Sequence, residues 1–204
     1  MKFKPLTVMP AVVLALVIAS SAGAEAFRIR PHLQNITPDG VTIIWETDVA
    51  VRGSVALGPA GGDKERYAGA AESQIHKIRI EKLTPASAYE YTVTAGNETI
   101  TNRFVTAPAG ERPITFVIFG DTRRWDNSDR EAALVQHSLQ WEPEFFVNMG
   151  DLVHDGSKYE QWPDHFGRFE SILGERMMVT ARGNHESGLV IRNGEGADWF
   201  SRYH

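Results

Sequence analysis

Two patterns of apolar and polar positions divide most of this chain. From Phe27 to Pro108 the apolar residues alternate. Val41, Ile43 and Trp45 interleave with Thr42, Ile44 and Glu46, and Tyr89, Tyr91 and Val93 interleave with Glu90, Thr92 and Thr94. Ile78 and Ile80 repeat the pattern between Lys77, Arg79 and Glu81. A period of two marks half-buried strands, and Pro38-Asp39-Gly40, Gly58-Pro59 and Gly61-Gly62 supply turns between them. The expectation over 27–108 is a small all-β sandwich. Residues 109–113, short and proline-bearing, read as a linker. From 114 to 204 the apolar residues instead form short runs, Ile114–Phe119, Phe145–Met149 and Met177–Ala181. Such runs read as buried strands. Helical spacing fills the gaps, over 129–141 (Leu134, Val135, Leu139) and over 157–173 (Trp162, Phe166, Phe169, Leu173). Ser128 with Glu131, and Ser157 with Glu160, have capping-box spacing for the two helix starts. Pro163 should kink or restart the second helix. The order is β-α-β-α-β.

Residues 1–26 follow a third pattern. Lys2 and Lys4 precede an apolar stretch from Leu6 to Ile18, and a small-residue segment follows with candidate cleavage positions at Ala24 and Ala26. This is the design of a secretory signal peptide, and the apolar stretch is short for a membrane span. The expected location is secreted or periplasmic, with no membrane attachment after cleavage. The chain has no cysteine, so its stability must come from its core or from metal. A formal net charge of −5 offers no general attraction to nucleic acid.

Each apolar run of the second half ends in glycine and a polar residue. The first run ends in Gly120-Asp121 and the second in Gly150-Asp151, while the third leads into Gly183-Asn184-His185-Glu186. In open α/β sheets, sites form beyond the carboxyl ends of the strands. Oxygen donors mixed with imidazole suit iron, zinc or manganese, with magnesium less suited. Two such metals sharing a carboxylate can activate water and clamp a phosphoryl group.

This set of motifs resembles the calcineurin-like metallophosphoesterases. With the β domain in front, it is most similar to the purple acid phosphatases. Leu83-Thr84-Pro85 followed by Tyr89 looks like the tyrosine corner of a fibronectin type III domain, and Trp45 fits the buried tryptophan of such sandwiches. The resemblance implies an all-β sandwich followed by the N-terminal part of an α/β metallophosphoesterase double β-sandwich with a binuclear metal site. It implies that Asp121 ligates one metal, that Asp151 bridges both and that Asn184 ligates the second. His185 would face the phosphate as hydrogen-bond or proton donor, with Glu186 orienting the loop. The implied substrate is a phosphorylated small molecule.

Three departures stand out. The first motif of the family continues Asp-x-Gly or Asp-x-His, and here it is Asp121-Thr122-Arg123. Arg123 either holds a phosphate oxygen or braces the loop. Purple acid phosphatases carry Gly-Asp-x-x-Tyr with an iron-binding tyrosinate; His154 stands at that place and is the expected ligand. Lastly, the family's later Val-x-x-His and Gly-His-x-His motifs do not occur between Glu186 and His204. The expectation is therefore an N-terminal portion of the enzyme, inactive alone. His32, His76, His137, His165 and His204 have no ligand spacing and read as structural. The alternatives are a non-catalytic extracellular binding module with a degenerate site, and a phosphodiesterase or nucleotidase on the same fold.

Overall fold

The computed structural model describes residues 27–123, 130–187 and 198–204. The leader expected over 1–26 and the capping serine Ser128 lie outside them. Seven strands form two packed sheets: β1 (Phe27–Thr37), β2 (Gly40–Val51), β3 (Ser54–Pro59), β4 (Glu65–Ala68), β5 (Ser73–Glu81), β6 (Ala88–Ala95) and β7 (Glu98–Val105). One sheet has the order β1-β2-β5 and the other β4-β3-β6-β7. All their pairings are antiparallel. The inward residues of the alternating runs, Val41, Ile43, Trp45, Ile80, Tyr91 and Val93, close one core. The Tyr89 hydroxyl accepts the Thr84 amide at 2.9 Å, the corner expected from Leu83-Thr84-Pro85. The domain is consistent with a fibronectin-like sandwich.

The second half opens with β8 (Phe116–Phe119), then α1 (Arg130–Ser138) and a 3-10 turn at Leu139–Trp141. Strand β9 (Phe145–Asn148), α2 (Gln161–Leu173), β10 (Met177–Thr180) and the short helix α3 (Trp199–Tyr203) follow. The three strands form a parallel sheet in the order β10-β9-β8. Helix α2 starts three residues later than its capping-box spacing implies. Ser157 does not cap it. Its amide and hydroxyl both donate to Asp155 Oδ1, at 3.0 and 2.7 Å. A local aspartate turn has replaced the first helical turn. Pro163 therefore falls in the first turn of α2, where its missing N–H would have had no helical partner, and no kink is required.

The two halves share a core. Ile29 of β1 is buried among Phe146, Trp162, Phe166, Phe169, Leu173 and Tyr203, with Ile75 packed against them. Strand β2 is consequently buried on both faces from Gly40 to Thr47. Thr42, Ile44 and Glu46, expected to face water from the alternation, are buried instead, and Glu46 contacts the α/β half. Polar contacts join the same halves. The Tyr91 hydroxyl donates to the Gly174 carbonyl at 2.7 Å. Glu46, 5% exposed, accepts the hydroxyls of Tyr159 at 2.7 Å and Tyr203 at 2.6 Å. Even the linker is pinned, since Arg112 donates to Glu144 through Nη1 at 2.8 Å.

The opposite face of the parallel sheet is open. Phe116, Ile118 and Val179 are 44%, 59% and 44% exposed, and Phe116 stacks on Phe145. The α/β half thus has one apolar layer covered and one uncovered.

At the joint, folding gathers three histidines that the sequence scatters. The rings of His32, His165 and His204 all pack against Phe166. Burial lowers the pKa of each: His32 to about 4, His204 to about 3, and His165 well below the ordinary value. Lys77 and Arg182 add repulsion. The unfolded histidines take up protons near pH 6.5 and the folded ones do not. Folding stability is therefore present above pH 6.5 and is lost as pH falls from 6.5 towards 4. We expect the urea midpoint to drop steadily across that window, and less steeply in His165→Met. A midpoint that stays constant from pH 6.5 to 4.5 would mean these rings are not buried neutral.

Candidate active site

The ends of β8, β9 and β10 lie side by side because pairing continues past the strands. The amide of Met149 donates to Phe119 O at 2.8 Å, Asp121 N to Gly150 O at 2.9 Å, and Ala181 N to Asn148 O at 2.8 Å. The two Gly-Asp motifs then make the same turn. Asp121 and Asp151 both have left-handed backbones, with φ of 54° and 56°. Aspartate tolerates this region better than most residues. Gly150, at φ 105°, and Gly183 approach so closely that a Cβ on Gly150 would lie 2.8 Å from the Gly183 amide. Only glycine permits the two loops to touch.

Glu186 holds this contact in place. It is fully buried. Its Oε1 accepts the amides of Leu152 at 2.7 Å and Val153 at 3.1 Å, and its Oε2 those of Asp151 and Gly183, both at 2.9 Å. One carboxylate therefore spans the β9 and β10 loops. Further fastenings were not legible in the sequence. Asn148 donates to Thr122 Oγ1 at 3.0 Å and accepts the Gly150 amide at 3.1 Å. Arg168 donates to Thr122 O at 3.0 Å. Gln161 Oε1 accepts the amides of His154 and Asp155, both at 2.9 Å. Each is a polar residue with a partner on another segment.

The candidate side chains meet as follows. Arg123 lies between the aspartates, with Nη1 2.6 Å from Asp151 Oδ2 and Nε 3.3 Å from Asp121 Oδ1. The other oxygen of Asp151 accepts the His185 amide at 3.3 Å. His185 Nδ1 lies 2.6 Å from the His154 carbonyl. That contact assigns the proton to Nδ1 and leaves Nε2 for a ligand. The rings of His154 and His185 are 5.4 Å apart. Asn184 and His154 are exposed. Asp121, Arg123, Asp151 and His185 are thus brought together, while His154 contributes its backbone.

Residues 114–204 match the model of the calcineurin-like phosphoesterases, so the α/β half of this chain is similar to that family, and an all-β domain precedes it. The chain is 29% identical over 169 residues to "Probable purple acid phosphatase 20" of Arabidopsis thaliana, a match that covers 76% of this chain and 38% of that protein. Two solved structures share its fold. One is purple acid phosphatase PPD1 from yellow lupin, Lupinus luteus, with a TM-score of 0.64 at 22% identity, covering 76% of this chain and 35% of that one. The other is PhoD, with a TM-score of 0.67 at 11% identity, covering 80% and 40%. The chain spans well under half the length of these relatives.

The family implies divalent metal ions. The donor chemistry at the strand ends suits them, but the arrangement does not. Asp151 has one oxygen on an amide and the other on a guanidinium. Among the described residues, no group of three or more His, Asp or Glu side chains is spaced to hold a metal ion. With Arg123 in place, a metal does not fit between Asp121 and Asp151.

The Glu186 geometry yields a test. Glu186→Gln replaces one acceptor oxygen with an amide nitrogen facing two N–H groups. Leaving buried amides unpaired and removing charge-assisted bonds should cost about 2–4 kcal/mol. Denaturant unfolding should show that loss, and the same change at exposed Glu160 should cost almost nothing. Equal stabilities would mean the loops do not depend on this carboxylate.

Proposed function

We propose that this chain is part of a phosphoesterase that hydrolyses phosphate monoesters of small molecules outside the cytoplasm, in the periplasm or after secretion. The observation that carries the reading is the convergence of Asp121, Arg123, Asp151 and His185 beyond the carboxyl ends of three parallel strands, within a region similar to the calcineurin-like phosphoesterases. The leader-like composition of residues 1–26 supports the location.

The residues divide the work by chemistry. Arg123 presents a planar fork of the kind that pairs with phosphate oxygens. His185, with Nδ1–H fixed on a carbonyl, turns Nε2 outward, and in the doubly protonated ring that atom would carry a proton to a leaving oxygen. Glu186 acts through the backbone and touches no substrate. Bound metal supplies activated water and charge neutralisation in such reactions. In the finer reading Asp121, Asp151 and Asn184, with His154 as a further ligand, would hold two metals, iron, zinc or manganese, only in a form of the site other than the one described. It requires Arg123 to release Asp151.

Hydrolysis of an aryl phosphate beside the matching diester tests the function. The 204 residues alone are expected to show no metal-dependent turnover above an Asp151→Asn control, because the donors among the described residues do not enclose a metal. A protein that also carries Val-x-x-His and Gly-His-x-His motifs beyond His204 is expected to favour the monoester. It should lose about 100-fold or more in Asp151→Asn, as when a charge-stabilising group is removed. Unchanged turnover in that variant would take Asp151 out of the reaction, and a preference for the diester would overturn the monoester assignment.

A further inference from the structure

We propose that the Arg123 guanidinium is a built-in cation, which fills the place between Asp121 and Asp151 and keeps a metal ion out of it. The inference rests on reading those carboxylates as the cation-binding pair of the phosphoesterase site, and it does not rest on turnover.

Three observations carry it. First, the guanidinium pairs with both carboxylates, at 2.6 Å on Asp151 and 3.3 Å on Asp121, although these lie on different loops. Second, it is delivered there by construction. The Arg123 amide donates to the carbonyl of the same Asp151 that its side chain grips, at 2.7 Å. Its neighbour Thr122 is buried, with its hydroxyl held by Asn148 and its carbonyl by Arg168. A loose surface arginine would have no such anchoring, and this side chain is 12% exposed. Third, the orientation of the carboxylates is set by the backbone, since both aspartates take the same left-handed turn. The oxygens converge on one place and the guanidinium occupies it.

The chemistry follows from charge. A guanidinium stays protonated at any ordinary pH and offers no lone pair to a metal. A divalent ion placed between the same carboxylates would stand within a few ångströms of it and be repelled. The pair therefore already has its countercharge. The place between Asp121 and Asp151 is therefore closed to a metal ion while Arg123 holds it.

Calorimetric titration of the whole chain with manganese(II) at neutral pH tests this, in wild type, Arg123→Met, Arg123→Lys and Arg123→Met with Asp151→Asn. Arg123→Met should bind at least about tenfold more tightly than wild type, because a like charge has been removed. The lysine variant should stay near wild type, and Asp151→Asn should abolish the gain. Affinity in Arg123→Met no tighter than wild type overturns the inference. Should Arg123→Met fail to fold, the wild-type chain still decides. The Arg123 Nε–H resonance should hold its position as zinc(II) is added to millimolar concentration, and its displacement would show that metal ousts the guanidinium. Failure to hydrolyse phosphate esters would count against the phosphoesterase reading alone, and failure of these titrations against this inference alone.

Discussion

A single buried carboxylate sets the geometry on which the site depends. Glu186 reaches from the β10 loop to three consecutive amides of the β9 loop and one of its own. Burying a carboxylate without a basic partner would be costly. Four N–H donors offset that cost, each charge-assisted bond contributing about 1.5–3 kcal/mol. The consequence is positional. Asp151 and His185 belong to loops that would otherwise be free to separate, and the His185 amide reaches Asp151 only because Glu186 has closed the gap. The glycines at 150 and 183 exist to allow this approach, so that the carboxylate and the two glycines act as one device.

That edge is in turn steadied by the β-sandwich. The α/β half buries one face of its sheet under α2, and α2 leans on β1 through Ile29. Glu46 adds a second fastening through Tyr159 and Tyr203, whose hydroxyl pKa values burial and this carboxylate both push up. The protonated phenols therefore remain donors at any physiological pH. The histidines beside them behave oppositely, since they are buried neutral and resist protonation. One joint thus contains a clasp of two phenols on a carboxylate and an imidazole cluster that acid weakens.

The features legible in the sequence were those encoded locally. The period-two runs of β2 and β6, the apolar runs of β8 to β10 and the Gly-Asp endings each depend on neighbours within a few residues, and so does the corner formed by Thr84 and Tyr89. What escaped depended on distant partners. Ile44 breaks the alternation of β2, and its full burial does not follow from a period of two. Ser157 has the spacing of a cap, but Asp155 two residues before it competes and wins. His165 and His204 lie 133 and 172 residues after His32, so no spacing rule could join them. The site shows the same division. Asp121, Asp151 and His185 follow from strand ends, whereas Gln161, Asn148 and Arg168, which hold the loops, follow only from the fold.

Arg123 marks the point where local and distant determinants meet. Its position two residues after Asp121 is a sequence fact, and left two roles open. The structure connects both to one cause. A carboxylate pair turned outward by left-handed backbones would repel itself unless a cation lay between its members. A metal can meet that demand only when other ligands enclose it, and the described residues do not enclose one. A guanidinium needs no enclosure, because its own fork makes the contacts and its charge is permanent. The arginine that departs from the family's usual motif therefore supplies the neutralisation without which this edge, closed by Glu186, would hold two adjacent negative charges apart only at the expense of its own loops.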